Sequence, residues 1–374
     1  MKTSQFWYPL PERLIAQHPA DKRGTEKMMV LHRDTGVIEN RHIGDIVEYI
    51  TSNDLLVVND TKVFPARLLG KWEDSDGAIE VLMISPAPVD GCDVPVMTDE
   101  NEPVSLRWNV MIGSGRKCRE GQVAVFGPNM ELKVKLSTKL SGIGMWQVEF
   151  ISERPLMELL EEFGRTPVPP YVKREGTPEE EREDRERYQT IYAKHVGSVA
   201  APTAGLHFTP EIFAELEKKG VQRVSVTLHV GPGTFRPVKA ENIEDHEMDF
   251  EAFSVSPETA ARINECKKRG GRVFCVGSTT VRTLETVASR PLEENAAGDA
   301  PLVVPGSGAS NIFIYPPYKF KVCDCMLTNF HLPQSTLLMM ISALAGRERV
   351  LCAYALAVRA NYMFFSYGDC MLIV

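Results

Sequence analysis

The rhythm of hydrophobic and polar residues changes twice along the chain. Within the first seventy residues a helix-like start gives way to DLLVVNDTKVFPARLLG (54–70), an apolar run that reads as a buried strand broken at Asn59-Asp60-Thr61. From Lys71 to about Phe150 short apolar pieces (AIEVLMI, VSLRWNVMIG, VAVFG, ELKVKLS, MWQVEF) follow one another with Gly, Pro, Asn and Asp between them. That spacing predicts a small all-β barrel or sandwich. Beyond it strand and helix patterns alternate as in α/β folds. Thr209-Pro210-Glu211 reads as N-cap, first helical residue and early acid, with Ile212, Phe213 and Leu216 on one face and Gly220 as the stop. Ser256-Pro257-Glu258 to Gly270 repeats the scheme, and a third helix follows the strand RVFCV (272–276) through Gly277-Ser278-Thr279. The run EGTPEEEREDRER (175–187) reads as a solvated surface helix.

Composition narrows the class. At 374 residues, with 43% hydrophobic and 25% charged positions, the chain has room for roughly two or three globular domains. The N-terminal MKTSQFWYPLPERL has no apolar signal core, and the most apolar run, Leu337 to Ala345, is far short of the ~20 residues of a membrane helix. A soluble cytoplasmic protein is the expectation. The eight cysteines, at 92, 118, 266, 275, 323, 325, 352 and 370, form no C-x-x-C pair, which predicts reduced thiols and no structural zinc. A net charge of −8 excludes a surface basic throughout but leaves room for a local nucleic-acid footprint.

Six stretches carry candidate chemistry. In SVAAPTAGLHFTP (198–210), His207 stands just before a helix whose N–H groups and dipole disfavour an imidazolium, so the ring can serve as a base, or simply as a loop hydrogen-bonder. In RVSVTLHVGPGTF (223–235), Val224, Val226, Leu228 and Val230 share one face and Ser225, Thr227 and His229 the other. This polar face ends at a glycine turn, where α/β sheets bind ligands, and solvent exposure explains it equally well. VGSTTVRTLE (276–285) offers N–H groups and the hydroxyls of Ser278, Thr279 and Thr280 to an anion, with Arg282 able to close on it, or else a plain helix cap. It lacks the Walker and dinucleotide patterns. TNFHLPQSTLL (328–338) sets Asn329 and His331 on a loop, and FFSYGDCMLIV (364–374) sets Tyr367 and Asp369 around a glycine turn. His246, Asp249 and Glu251 match no metal spacing. For nucleic acid, GRTPVPPYVKR (164–174) combines three cations with a tyrosine, and Lys62, Arg67 and Lys71 add a second cluster; both suit RNA phosphates and bases, as well as ordinary solvated surface.

Taken together, VVNDTKVFPARLLG, GRTPVPPYVKR, YQTIYAKHVGSVAAPTAGLHFT, VTLHVGPGTFRPV, VGSTTVRTLET, TNFHLPQSTLLMM and FFSYGDCMLI resemble the signature blocks of the S-adenosylmethionine:tRNA ribosyltransferase-isomerase family of queuosine biosynthesis. The likeness runs from near residue 8 to the last residue. It implies transfer and isomerisation of the ribosyl part of S-adenosylmethionine, a co-substrate, onto the aminomethyl group of a 7-deazaguanine at the tRNA wobble position, with release of adenine and methionine. It also implies a discontinuous α/β domain (1–70 plus 151–374; mixed sheet or partial barrel with helices) carrying an inserted barrel-like all-β domain (71–150), acting as a monomer without a metal. The carbon next to the sulfonium must lose a proton, and His207 is the residue suited to take it, with His229, His331 and Asp369 as further acid–base groups. Asn59, Asp60, Thr203, Gly205, Phe208, Gly277, Ser278, Thr279, Arg282 and Tyr367 are the residues expected to bind S-adenosylmethionine. Phe208 or Tyr367 would face adenine, and the helix start at Ser278 to Arg282 would hold the methionine carboxylate. Lys62, Arg67, Arg165, Tyr171, Lys173 and Arg174 are the expected tRNA contacts. Three positions depart from the pattern: Asp249 where a histidine is expected, Met363 for arginine and Pro317 for glycine. Two other readings are a tRNA methyltransferase using the same co-substrate and an inactive tRNA-binding protein.

Overall fold

A computed structural model describes residues 1–87, 106–114, 117–231, 233, 238–289 and 301–374. Cys92, Val104, Ser105, Pro232 and Thr234 to Pro237, which the sequence reading used, lie outside them.

Nine strands form one mixed sheet, in the order Gly306–Ser310, Glu251–Val255, Gln222–Leu228, Leu55–Asn59, Val273–Val276, Cys325–Asn329, Cys370–Ile373, Lys27–Leu31 and Ile38–His42. The four strands from Gln222–Leu228 to Cys325–Asn329 are mutually parallel, and Cys370–Ile373 runs against them beside the parallel Lys27–Leu31. Their sequences are continuous hydrophobic runs because both faces are covered. Leu55, Val57, Cys275 and Met371 enter the core beneath the helices Pro257–Lys268, Ser278–Ala288, Thr336–Ala345 and Arg347–Arg359, whereas Leu56, Val58, Phe274 and Leu372 enter the core beneath Pro210–Lys218.

The helix boundaries follow the expected local chemistry. Thr209, Ser256 and Ser335 each accept a backbone N–H of the first turn, and Gly220, Gly270 and Gly346 follow the ends in left-handed conformation. The helix-like start is different: only short 3-10 turns, Thr3–Phe6 and Glu12–Leu14, form there. The apolar run from 54 divides into Leu55–Asn59, Thr61–Val63 and Arg67–Trp72, so the chain breaks at Asp60.

The third of these strands opens a closed barrel. Arg67–Trp72, Ala78–Pro86, Arg107–Ser114, Val123–Phe126, Leu132–Lys139 and Met145–Ile151 close through antiparallel pairs around Trp72, Trp108, Phe126 and Phe150, with Leu156, Leu159 and Leu160 of the helix Leu156–Phe163 joining that core. The fold is thus an α/β unit with a six-stranded all-β barrel. The seven cysteines in the described residues are free thiols, and among those residues no helix is long and apolar enough to cross a membrane.

Candidate active site at the carboxyl edge of the sheet

The parallel strands all deliver their carboxyl ends to one edge. There they place Asp60, His229, Gly277-Ser278 and Asn329 to His331, while the antiparallel Cys370–Ile373 and its neighbour Lys27–Leu31 begin at that same edge and bring Asp369 and Glu26. The crevice outside such strand ends is where open α/β sheets hold ligands.

A cavity enclosing about 720 Å³, solvent at its mouth included, lies at this edge. Thr203, Gly277, Ser278, Thr279, Tyr171 and His331 line it, together with Asn329, Phe365 and Ser366. The Tyr171 and Phe365 rings stack with centroids 4.4 Å apart, and the Tyr171 hydroxyl bonds Ser366. Phe365 holds this place with φ of 73°, a left-handed conformation that bulky side chains rarely adopt. His331 Nε2 pairs with Thr328 Oγ1 at 2.7 Å, and burial lowers the ring's pKa to about 3, so it is neutral at physiological pH. The Tyr354 hydroxyl accepts the His331 backbone N–H, and the His331 carbonyl accepts from the Tyr8 hydroxyl.

His207 stands one layer behind this wall. It ends the 3-10 turn Thr203–His207, is 2% exposed, and its Nε2 lies 3.1 Å from Asn329 Nδ2, so the Asn329 carboxamide separates it from the main cavity. Its Nδ1 has no hydrogen-bond partner and faces Glu26 Oε1 at 3.8 Å across a second, smaller cavity, which Tyr367 also lines. Gly205 in the same turn is required by close approach: a Cβ there would come within 2.0 Å of the Tyr192 hydroxyl. Asp369 is anchored, accepting the backbone N–H of Lys27 at 2.7 Å and of Met363 at 2.8 Å; burial raises its pKa above the ordinary carboxylate value.

Other expected residues are engaged elsewhere. Phe208 is fully buried, stacked on Phe213 at 4.9 Å, and Tyr367 packs edge-on against Tyr188 and donates to Asp184, so neither offers a free face to adenine. Arg282 is ion-paired with Glu251, both side chains under 5% exposed, and cannot close on an anion at Ser278. The polar face of Gln222–Leu228 is not turned to solvent alone: Ser225 and Thr227 hydroxyls both donate to Asp60 at 2.7 Å. Asn59 is structural, its amide bonding both backbone groups of Leu228. His229 pairs with Thr61 Oγ1 at 2.8 Å, and burial foremost lowers its pKa to about 4. Gly197 (φ 148°) lies so close beneath that ring that a Cβ would meet it at 2.8 Å.

The basic patch is partly structural as well. Arg174 forms a bidentate pair with Asp184 at 2.8 and 2.9 Å, both side chains nearly buried, so one acid of the supposedly solvated run 175–187 is a core partner. Arg67 pairs with Glu80, Lys173 with Glu12 at the surface, Arg165 is half-buried and bonded through its backbone to Arg67, and Lys62 is exposed. Of the departures, Asp249 is exposed and away from the main cavity, and Met363 contributes its backbone N–H to Asp369. Among the described residues no cluster of His, Cys, Asp or Glu is arranged for a metal ion.

A mixed α/β sheet bearing a β-barrel, with the neutral imidazole of His331 lining a cavity at its carboxyl edge and His207 and Asp369 buried behind it, is a fold of the class that holds a small ligand at its strand ends. The model of the family described as "Queuosine biosynthesis protein" matches residues 3–373, and the chain belongs to that family. It is similar to S-adenosylmethionine:tRNA ribosyltransferase-isomerases of Caldanaerobacter subterraneus subsp. tengcongensis (45% identical over 374 residues) and Acetivibrio thermocellus (46% over 373), each covered completely, as is this chain. The crystal structure of S-adenosylmethionine tRNA ribosyltransferase from Thermotoga maritima is 33% identical with a TM-score of 0.51, over 99% of this chain and 100% of that one.

Proposed function

We propose that this chain transfers and isomerises the ribosyl moiety of S-adenosylmethionine onto the aminomethyl-7-deazaguanine of a tRNA wobble position, in the cytoplasm and as a monomer. The observation that carries this reading is identity of 45% and 46%, end to end, with curated proteins of that name. The main cavity supports it in detail. Tyr171 and Phe365 supply the aromatic surface for adenine, replacing Phe208 and Tyr367 in that role. The N–H groups at Ser278 and Thr279, which open an eleven-residue helix, suit the methionine carboxylate without help from Arg282. The sulfonium acidifies the neighbouring C–H bonds, and His207 takes the proton on its ring nitrogen. His331 lines the main cavity and would hydrogen-bond a leaving or attacking nitrogen. The inserted barrel (71–150) is assigned to a unit of its own within the discontinuous α/β domain, and Lys62 and Arg165 are retained as the tRNA phosphate contacts.

The test is incubation with S-adenosylmethionine and precursor tRNA, followed by mass spectrometry of the nucleosides and of the small-molecule products. Free adenine, methionine and a cyclopentane-epoxide nucleoside are expected. S-adenosylhomocysteine would assign methyl transfer instead, and tRNA binding without adenine release would leave only a binding protein.

A further inference from the structure

The Asn329 carboxamide can be oriented from its partners. Its Nδ2 lies 3.0 Å from the Phe365 carbonyl oxygen, which only accepts, so the NH₂ must point there. The same NH₂ lies 3.1 Å from His207 Nε2, which therefore accepts as well. A neutral His207 then carries its proton on Nδ1, and that N–H points away from the main cavity. Facing Nδ1 across the smaller cavity, of about 270 Å³, are Glu26 with Arg23, Arg187 and Tyr367. The charge of Asp369 also reaches the ring, but both its oxygens already accept backbone N–H groups. Glu26 differs: Oε2 accepts from Gly24 N at 2.9 Å, while Oε1 is the oxygen 3.8 Å from Nδ1.

We propose that Glu26 is the positioning residue of His207: it fixes the Nδ1–H tautomer and, as an anion, stabilises the imidazolium that forms when the ring takes a second proton. The proposal rests on the reading of His207 as the base. The step balances. The C–H bond beside the sulfonium breaks, leaving its electron pair on carbon; the proton joins Nε2 once the Asn329 amide has turned aside; Nδ1 keeps its proton, and the imidazolium pairs with the Glu26 carboxylate. A gap of 3.8 Å closes with a side-chain movement of about 1 Å or through one bridging water. Burial alone would raise the Glu26 pKa, yet the carboxyl lies below its ordinary value, held there by the neighbouring His207 ring and by backbone N–H groups, so that it stays an anion.

The test is ¹H–¹⁵N NMR of full-length protein labelled on histidine, with His207 assigned by the signal lost in His207→Gln. Wild type is expected to show a protonated Nδ1 and an unprotonated Nε2, and Glu26→Gln a mixed or reversed tautomer. In the same variant kcat should fall about 10²-fold, with KM for S-adenosylmethionine within about twofold. A wild-type Nε2–H signal overturns the proposal without any variant having to fold, and so does an unchanged tautomer in folded Glu26→Gln. Were the tautomer as expected while His207→Ala kept wild-type rates, the base assignment would fail and the positioning of His207 by Glu26 would stand.

Discussion

The barrel and the mixed sheet solve different problems with the same backbone hydrogen bonds. Between residues 67 and 151 no polar side chain is buried among the described residues; the barrel encloses aromatic and aliphatic groups, and the buried atom it leaves unpartnered is Trp108 Nε1. In the sheet unit, by contrast, Asn59, Asp60, His207, Asn329, His331 and Asp369 are all buried at one edge. Burying polar groups costs free energy unless they are paired, so a concentration of them marks where function has been given priority over stability. The lesson is a division of labour: the barrel contributes shape, and the chemistry belongs to the strand ends.

The largest effect that can break this contrast is on turnover. His207→Ala should abolish it, a loss of 10²–10⁴-fold or more for a general base, with tRNA affinity nearly unchanged; steady-state assays and a binding titration check both halves. Next come two stability effects of about 3–5 kcal/mol, read by denaturant unfolding. Trp108→Ala should cost this much by opening a cavity in the barrel while the folded fraction keeps its kcat. Arg282→Ala should cost as much by taking the neutralising cation away from the buried Glu251 carboxylate. A barrel variant that changed kcat would erase the division.

A smaller effect sharpens it through pH. His331 titrates at about 3 when folded and near 6.5 when unfolded, so between those values the unfolded chain binds the extra proton. Stability should therefore fall as the pH drops through that window, by up to about 1.4 kcal/mol per pH unit from this group, and His331→Gln should remove that share of the slope in unfolding curves at pH 7 and 5, leaving the share of His229. Smallest of all, Lys62→Ala should weaken tRNA binding alike for all sequences and reduce the salt-dependence slope by about 1.

What was legible in the sequence was local. Thr209, Ser256 and Ser335 cap helices because a hydroxyl three residues before a free N–H needs no distant partner, and the break at Asp60 shows in the apolar pattern itself. The change of rhythm that marks the barrel was legible for the same reason, although the first barrel strand starts at Arg67 rather than Lys71. Pairings across long stretches of chain were not. Tyr171 stands among cations, yet its ring turns inward onto Phe365, and Arg174 is neutralised by an acid from a helix that looked wholly solvated. Glu26 gave no signal, because nothing near it in sequence suggests a histidine 181 residues further on. Asn329 was noticed beside His331, but its role depends on Phe365, whose left-handed backbone no periodicity reveals.

The hairpin of Lys27–Leu31 and Ile38–His42 joins the rest of the sheet through Cys370–Ile373, a partner more than three hundred residues away in the chain. Until that distant strand is present, Met28 and Val30 have only Ile38–His42 beside them, so the hairpin is bound to the sheet late in folding. The rate of refolding should therefore depend on how fast this long-range pairing closes.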